Sequence, residues 1–417
     1  MDERLERLSA LLAQVLPGNA FQRRRLGDVR PRDWDDLATL PRTTKEELLA
    51  DQAESPPFGT NLSFALDRYT HLHQTSGSTG ATLRVLDTAD DWAWWRRQLG
   101  RVLAAAGIGA GDRVALAYSF GPYIQFWASY EGAQEAGALV IPLGGMESVQ
   151  RLETMREYGA SALLCTPSYA LHLARVALDN GLGDALETVE RVICTGEPGA
   201  SMPAVRERIE SLWGARCHDH AGASEVGSFA YPCATDGGLH LFEDEFICEV
   251  LDPATAAPVA DGAAGELVIT ALARTGFPVI RYRTGDMIER TARQCSAGHP
   301  GLWLPEGILG RADDMVVIRG MNVFPSAIEE ILRQSSGLGE FSITFYSDPH
   351  AMDEVKVEAE LAQPREARDI QARLRQRLGL RVRIVPVKPG ILPTYSGKAR
   401  RVHDLRETVP IAPGRGR

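Results

Sequence analysis

Apolar and polar residues follow a helical period at the start of this chain. Leu5, Leu8, Leu11 and Leu12 recur at the spacing of one helix face. The segment PRTTKEELLA then places a threonine ahead of two glutamates, the arrangement of a capped helix start. We therefore predict that residues 1 to about 70 form a helical cover.

Beyond residue 80, short apolar segments alternate with longer amphipathic ones. The strand-like segments are RVALAYSF, ALVIPLGG, SALLCTP, RVICTGEP and ARCHDH, and predicted helices of about 10 to 15 residues or more separate them. This alternation predicts an α/β fold with a largely parallel sheet that is covered on both faces.

The pattern changes near Gly238, where shorter strand-like pieces (FICEVLD, GELVITAL and PVIRYRTGD) predict a β-rich subdomain. After GRADD, the segments VFPSAIEEILRQSSG and 365–378 are predicted helices, and EFSITFYSD, DEVKVEAEL and LRVRIVPV are predicted strands. These pieces form an α+β unit of roughly 100 residues. We predict a large N-terminal domain over residues 1–312 and a small C-terminal domain over 313–417.

Composition narrows the class of protein. Hydrophobic residues make up 44% and charged residues 24%, which excludes a mostly disordered chain, and a net charge of -10 argues against nucleic-acid binding. The N-terminus is charged and amphipathic, unlike a signal peptide, and we expect neither a membrane span nor membrane association. The expected location is the cytoplasm, where the six cysteines would be reduced thiols or metal ligands.

The segment SGSTG, Ser76 to Gly80, is a candidate phosphate loop. Its glycines leave the backbone free to close around an anion, and its hydroxyls add polar contacts. Ala81 follows where a Walker loop would have lysine, which disfavours a Walker-type NTPase. A flexible Gly/Ser turn is the alternative for this motif taken alone.

Further glycine-containing polar turns follow or separate the predicted strands, where a doubly wound sheet presents its ligand crevice. In chain order the motifs are SGSTG (76–80), TGEPG (195–199), HAGASEVG (220–227), YRTGD (282–286), GRADD (310–314) and SGKARR (396–401). Together they resemble the adenylate-forming superfamily, and specifically its phenylacetate–CoA ligase family. The resemblance covers about residues 70 to 405 and is densest in RADDMVVIRGMNVFPSAIEEIL.

This resemblance implies a cleft in which a carboxylate attacks the α-phosphorus of ATP. Glu225 would hold Mg²⁺, Lys398 would be the mobile catalytic lysine, and Asp313 would be the hinge of a mobile small domain. The ATP-binding residues implied in the phosphate loop, beside adenine and at the ribose are Ser76, Gly77, Ser78, Thr79, Gly80, Gly196, Glu197, Pro198, Asp286 and Arg311. The chain departs from the family at Ala81, commonly lysine, and at Ala221, usually aromatic.

The acid-binding pocket is expected between the aromatic stretch YSFGPYIQFW, two glycines and the loop before Glu225. The candidate lining residues are Phe120, Tyr123, Phe126, Gly144, Gly145, His220, Ala221 and Gly222. Aromatic residues at this spacing also suit a buried core, and both interpretations stand at this point. His218 and His220 are candidates for contact with a polar ring substituent.

Two Cys/His pairs indicate a metal site. Cys233 with His240 and Cys295 with His299 supply ligand types that suit tetrahedral Zn²⁺. Some members of the resembled family carry a zinc cluster in these two segments, so the resemblance implies a structural zinc. Unrelated surface residues are the alternative, and Cys248 is a competing ligand whose strand position favours a buried thiol.

The sequence therefore predicts an AMP-forming acid–thiol ligase. It would use ATP and Mg²⁺ to activate an aromatic carboxylic acid and then transfer the acyl group to CoA. Two alternatives remain: delivery of the acyl group to a carrier protein or another nucleophile, and a non-catalytic nucleotide- or acyl-binding module. The resemblance also implies a homodimer.

Overall fold

The computed structural model describes residues 2–27, 29–75, 82–299, 301–312, 314, 316–318, 321–335, 337–347, 353–393 and 401–406. The chain divides into two compact units, Met1–Asp313 and Asp314–Arg417. Among the helices of these residues, none combines the length and the apolar character needed to cross a membrane. The predicted mixed α/β architecture is confirmed.

The N-terminal residues form mainly short helices, here called the helical cover. Its helices are α1 (Glu3–Val15), α2 (Ala20–Leu26), α3 (Trp34–Thr39) and α4 (Lys45–Glu54), followed by a short 3-10 helix at Leu66–Arg68. The leucines at helical spacing in α1 are buried, and most of them pack in a cluster with Ile247, Leu272 and Ile280. The cover is thus built onto residues that come more than 200 positions later in the chain.

A parallel sheet with helices on its faces forms the centre of the first unit. The elements are β1 (Tyr69–Gln74), β2 (Arg84–Thr88), α5 (Ala89–Ala105), β3 (Arg113–Leu116), α6 (Ile124–Glu135), β4 (Leu139–Pro142), α7 (Ser148–Tyr158), β5 (Ala162–Cys165), α8 (Pro167–Asp179), α9 (Asp184–Glu187), β6 (Arg191–Cys194), α10 (Pro203–Trp213) and β7 (Arg216–Asp219). The strand order is β4-β3-β5-β6-β7, all parallel, and β1 pairs with β2 as an antiparallel ribbon. Both faces of the parallel sheet are buried, which explains its continuous apolar strands.

Antiparallel strands follow directly after β7. They are β8 (Ala221–Ala223), β9 (Gly227–Pro232), β10 (Leu239–Leu241), β11 (Phe246–Leu251), β12 (Ala264–Ala271), β13 (Tyr282–Glu289), β14 (Trp303–Leu304) and β15 (Gly310–Arg311). One sheet has the order β14-β10-β9-β8 and the other β11-β12-β13-β15. The change of pattern near Gly238 therefore falls just before β10, and β8 and β9 precede it.

The second unit has its own core. Its elements are β16 (Val316–Ile318), β17 (Met321–Val323), α11 (Pro325–Arg333), β18 (Leu338–Ser347), β19 (Asp353–Leu361), α12 (Glu366–Leu378), β20 (Val382–Val387) and β21 (Val402–Asp404). The sheet order is β20-β19-β18-β21, with an antiparallel central pair and parallel outer pairs. The apolar faces of α11 and α12 pack with this sheet in one hydrophobic cluster, which confirms the predicted α+β unit.

Candidate functional site

The carboxyl ends of two parallel strands, β6 and β7, carry two of the polar turns named from the sequence. Gly196, Glu197 and Pro198 follow β6, and His220 follows β7. Gly196 has a φ of 93°, a conformation that glycine adopts without steric conflict. The Glu197 carboxylate accepts a hydrogen bond of 2.7 Å from the backbone nitrogen of Ser168, in the first turn of α8. The TGEPG turn is therefore anchored to the helix that follows the neighbouring strand.

The candidate magnesium ligand Glu225 is almost fully buried. Its side chain is 7% exposed, and its Oε1 lies 3.3 Å from Nζ of Lys45, the first residue of α4. The phenol of Tyr282 lies in the same polar group: burial, and then the neighbouring Glu225 carboxylate, hold the pKa of Tyr282 well above its ordinary value. The site thus combines a carboxylate, an ammonium and a phenol from three separate parts of the chain.

A buried ion pair supports the residue before Glu225. Arg274 and Asp87 are fully buried, and Arg274 Nη2 and Nε lie 2.6 and 2.8 Å from Asp87 Oδ1. Arg274 Nη1 also donates a hydrogen bond of 2.7 Å to the carbonyl oxygen of Ser224. Burial is the largest single influence and raises the pKa of Asp87, but the charge of Arg274 and the hydrogen bonds from His73 and Arg274 together outweigh it, so the pKa of Asp87 is lowered. Arg274 therefore fixes the backbone beside Glu225.

Asp286 and Arg311, both implied at the ribose, are direct cross-strand partners in β13 and β15. Arg311 Nη1 lies 3.2 Å from Asp286 Oδ1. The register between β12 and β13 shifts opposite this segment, and Gly285 has a φ of 75°. A Cβ at Gly285 would lie 2.4 Å from the Arg311 guanidinium, so glycine is required for this close approach.

The candidate acid-binding residues divide into exposed and buried groups. Phe120 and Tyr123 are 49% and 45% exposed, whereas Phe126 is 2% exposed and belongs to the core. The rings of Phe120 and Phe126 lie 4.3 Å apart, and a Cβ at Gly144 would come within 2.4 Å of the Phe120 ring. Gly145, next along the chain, has a φ of 80°. Phe126 therefore contributes to a slot only by supporting Phe120.

Buried titratable groups lie at the end of β7. Burial lowers the pKa of both His218 and His220 to about 4 and raises the pKa of Asp219 to about 6. Asp219 accepts hydrogen bonds of 2.6 and 3.1 Å from the hydroxyl and backbone nitrogen of Ser201. Among the described residues, His220 Nε2 has no hydrogen-bond partner. Ala221 is buried and Gly222 is exposed in β8, which continues from this segment.

The structure brings together three of the four candidate zinc ligands. Cys233, His240 and Cys295 are buried, and their ligand atoms lie within 4.8 Å of one another. Within the part of the chain that the structure describes, neither ring nitrogen of His240 has a hydrogen-bond partner. His299 is exposed, with its ring centroid 5.4 Å from that of His240. Cys248, in β11, lies outside this group.

Some predicted site residues lie outside the described residues: Ser76, Gly77, Ser78, Thr79, Gly80, Asp313 and Lys398. The residues that flank the first of these segments are described. The backbone nitrogen of Thr75 donates to the carbonyl of Leu83, and the backbone nitrogen of Leu83 donates to the Thr75 hydroxyl, at 3.0 and 3.1 Å. Pairing of β1 with β2 therefore continues up to the edges of the candidate phosphate loop.

Sequence reasoning did not assign roles to Lys45, Arg274 or Tyr282. Lys45 was part of a predicted helix start, and Tyr282 opened the YRTGD motif without a function of its own. Of these three residues, only Tyr282 could have been identified from the local sequence, because it belongs to that motif. Lys45 and Arg274 reach the segment around Glu225 through tertiary structure.

Comparisons with known proteins agree on one family. Residues 320–406 match the AMP-binding enzyme C-terminal domain. The chain is 32% identical to phenylacetate-coenzyme A ligase of Escherichia coli (strain K12), over 91% of this chain and 87% of that protein. It is 30% identical to phenylacetate-coenzyme A ligase of Thermus thermophilus, over 97% and 96% of the two chains. A crystal structure of 2-hydroxyisobutyryl-CoA ligase in the postadenylation state superposes with a TM-score of 0.90 and 30% identity, over 96% of this chain and 88% of that chain.

Proposed function

Because the chain belongs to the phenylacetate–CoA ligase family, we propose that it activates an aromatic carboxylic acid with ATP and transfers the acyl group to CoA. In the first half-reaction a carboxylate oxygen would bond to the α-phosphorus, and the bond from that phosphorus to pyrophosphate would break. In the second, the CoA sulfur would bond to the acyl carbon, the thiol proton would be lost, and AMP would leave.

The observation that carries the proposal is the arrangement around β13. One end of this strand places Tyr282 beside Glu225, and four residues later Asp286 pairs with Arg311. β13 thus contacts the carboxylate for a metal at one end, through Tyr282, and supplies Asp286 of the carboxylate–guanidinium pair for a nucleotide four residues later. This combination supports nucleotide chemistry more strongly than either group does alone.

Each residue has a role that follows from its chemistry. Asp286 accepts hydrogen bonds from the ribose hydroxyls, and Arg311 orients Asp286 and contacts the nucleotide. Glu225 holds Mg²⁺, a hard cation suited to a carboxylate and phosphate oxygens, and the ion neutralises phosphate charge when bound. By family resemblance, Lys398 bridges the acid carboxylate and the α-phosphate, and Ser76, Ser78 and Thr79 contact the pyrophosphate.

The aromatic character of the acid rests on Phe120 and Tyr123. Their rings are about half exposed, which is unusual for side chains that a core would otherwise bury. Departure from the family at Ala221 removes an aromatic ring and would leave room beside His220. The neutral imidazole of His220 is then the group that would contact a polar ring substituent.

ATP–pyrophosphate exchange over a panel of acids tests this function. The panel contains phenylacetate, substituted benzoates and 2-hydroxyisobutyrate, and we expect exchange with an aromatic acid. Lys398→Ala should lower exchange roughly 10²- to 10³-fold, as for loss of one charge-stabilising group. Lys388→Ala, at an exposed lysine of the same unit, is the control.

Three results would change the proposal. Exchange with the aliphatic acid alone would correct the substrate class. Exchange with no acid would favour the non-catalytic module. A thioester that forms on a carrier-protein phosphopantetheine but not on CoA would favour the carrier-protein alternative.

We also propose that Cys233, His240 and Cys295 hold a structural zinc ion, with His299 as the fourth ligand. Convergence of three buried ligand atoms within 4.8 Å supports this, as do the ring nitrogens of His240, which have no hydrogen-bond partner among the residues that the structure describes. The two contributing segments are also joined by a 2.7 Å hydrogen bond from the Ser296 hydroxyl to Asp236. A filled tetrahedral site leaves no position for water, so the ion would stabilise the fold without taking part in catalysis.

Elemental analysis of the purified protein tests the zinc site. About one zinc per chain is expected, with a lower melting temperature after chelation. Cys295→Ser should lose the metal, whereas Cys248→Ser, at a cysteine outside the group, should retain it. Full zinc occupancy in Cys295→Ser would contradict the assignment. The cytoplasmic location and the homodimer stay predictions.

A further inference from the structure

Lys45 is held at Glu225 by the backbone of the helical cover. Two residues earlier, Thr43 lies beside β13: its backbone nitrogen donates to Arg281 and its carbonyl accepts from Arg283, both at 2.9 Å. Its hydroxyl also donates to the Ile280 carbonyl at 2.6 Å. Thr44 then caps α4 together with Glu47. The start of α4 is therefore fixed against the strand that carries Tyr282.

The side chain of Lys45 places a cation in the candidate nucleotide site. Its Nζ lies 3.3 Å from Oε1 of Glu225, and its side chain is 29% exposed against 7% for Glu225. An ammonium has three donors and can contact more than one acceptor at the same time. The contact with Glu225 therefore leaves Lys45 the capacity to bind a second anion.

A cation at this point suits the charge of the nucleotide. ATP brings several negative charges, and an ammonium makes strong hydrogen bonds to phosphate oxygens. Glu225 adds a further negative charge. If Glu225 binds Mg²⁺ as proposed above, the metal would offset the charge of this carboxylate, and the Lys45 ammonium would be able to contact phosphate oxygens.

We propose that Lys45 binds the pyrophosphate portion of ATP, so that the N-terminal cover supplies a phosphate-binding residue to the active site. This inference rests on the proposed adenylation activity. The two half-reactions should depend on Lys45 differently. Pyrophosphate is present only in adenylation, so Lys45 should assist that step and leave thioester formation from the finished acyl-adenylate unaffected.

Nucleotide binding tests the contact without relying on activity. In Lys45→Met, the affinity for the non-reactive analogue α,β-methylene-ATP, measured calorimetrically with Mg²⁺, should fall about 10- to 100-fold, as expected for hydrogen bonds to charged groups. The affinity for AMP, which lacks the β- and γ-phosphates, should stay unchanged. Lys45→Arg should keep most of the affinity. Arg32→Met, at an 83% exposed arginine of the same cover, is the matched control.

Kinetics provides the second measurement. Lys45→Met should slow ATP–pyrophosphate exchange roughly 10²-fold, whereas conversion of supplied acyl-adenylate and CoA to thioester should proceed at the wild-type rate. Equal slowing of both half-reactions would show that Lys45 only supports the fold around Glu225 and would overturn the proposal. Unchanged affinity for α,β-methylene-ATP in folded Lys45→Met would also overturn it.

The outcomes separate this inference from the proposed function. If the wild-type protein exchanges pyrophosphate with no acid, the proposed function fails, while the binding experiment still decides whether Lys45 contacts ATP. If the wild-type protein binds neither the analogue nor AMP, both fail. Circular dichroism and the melting temperature of Lys45→Met and Lys45→Arg establish that each variant is folded.

Discussion

Two basic side chains hold the adjacent residues Ser224 and Glu225, and they do so in different ways. Arg274 is fully buried, lies within 2.8 Å of Asp87 Oδ1 through two nitrogens and donates a hydrogen bond from Nη1 to the Ser224 carbonyl. Lys45 is partly exposed and reaches the Glu225 carboxylate at 3.3 Å. Arg274 is locked in one geometry, whereas Lys45 retains solvent access and donors for another partner.

This difference separates support from chemistry. A guanidinium engaged through a planar fork has little freedom to change partners, which suits a residue that fixes backbone geometry. An ammonium on a flexible stem can exchange one anion for another with little rearrangement. Within one short segment, stability should therefore depend on Arg274 and activity on Glu225 and Lys45.

The largest effect is expected from Arg274→Met. The substitution removes the permanent opposite charge beside buried Asp87 and leaves His73, whose Nδ1 lies 3.8 Å from Asp87 Oδ2, as its neighbour. This should cost about 3–5 kcal/mol in the free energy of unfolding, measured with urea. The double variant Arg274→Met/Asp87→Leu should recover part of this loss because it removes the orphaned charge. Arg32→Met, in an exposed ion pair, should change stability by about 0.5 kcal/mol or less. A single variant as stable as wild type would contradict the supporting role.

Glu225→Gln should show the opposite behaviour. It keeps the size of the side chain but removes the charge that attracts Mg²⁺, so pyrophosphate exchange should fall roughly 10²- to 10³-fold, equivalent to about 3–4 kcal/mol in the barrier. The melting temperature should change little. If Glu225→Gln lost stability but kept its activity, Glu225 would support the fold and the contrast with Arg274 would be wrong.

A third arrangement, burial without an opposite charge, predicts a pH dependence. Burial lowers the pKa of His218 and of His220 from its ordinary value of 6.5 to about 4, so each contributes stability that is lost as the pH falls from about 6.5 to 4. Burial raises the pKa of Asp219 from 3.8 to about 6, so its effect has the opposite sign: the stability that Asp219 contributes is lost as the pH rises from about 4 to 6.

Variants separate these contributions. His220→Gln should lower the slope of unfolding free energy against pH by about 1.4 kcal/mol per unit between pH 4 and 6, and Asp219→Asn should raise it by a similar amount. The measurement is urea unfolding at several pH values. Unchanged slopes in both variants would show that these groups do not titrate as their burial predicts.

The smallest effect is expected at Gly144. An added Cβ would meet the Phe120 ring, which is half exposed and able to move, so Gly144→Ala should raise KM for the aromatic acid several-fold, about 1 kcal/mol, without loss of stability. Gly183→Ala, where a Cβ would meet no atom within 4 Å, is the control. An unchanged KM in Gly144→Ala would remove Phe120 from the acid-binding surface.

The sequence predicted the elements better than their arrangement. The leucines of α1, the alternation through β7 and the small C-terminal unit were visible because helix and strand periods are local properties. The order β4-β3-β5-β6-β7 was not, since it depends on crossovers that the local pattern does not encode. The sequence also did not predict that the antiparallel strand β8 follows directly after β7, for the same reason.

The candidate site was predictable in part. Motif resemblance named Asp286 and Arg311, and the structure pairs them, while their nucleotide contacts stay predictions. Lys45 escaped notice because its contact with Glu225, 180 positions away, arises from the pairing of Thr43 with β13. The spacing of the aromatic residues also could not show that Phe120 is exposed and Phe126 is buried. The burial of Phe126 depends on how α6 packs in the folded protein.

The pairing of Thr43 with β13 has a consequence for the order in which the protein is made. The hydroxyl of Thr43 bonds to Ile280, 237 positions later. At roughly 5–20 residues per second, the ribosome needs about 12 to 50 s to synthesise that interval. During this time the cluster that contains the apolar faces of α1 to α3 is incomplete, because Ile247, Leu272 and Ile280 are added to the chain one after another and Ile280 comes last. The helices of the cover are thus synthesised well before the residues that complete their core.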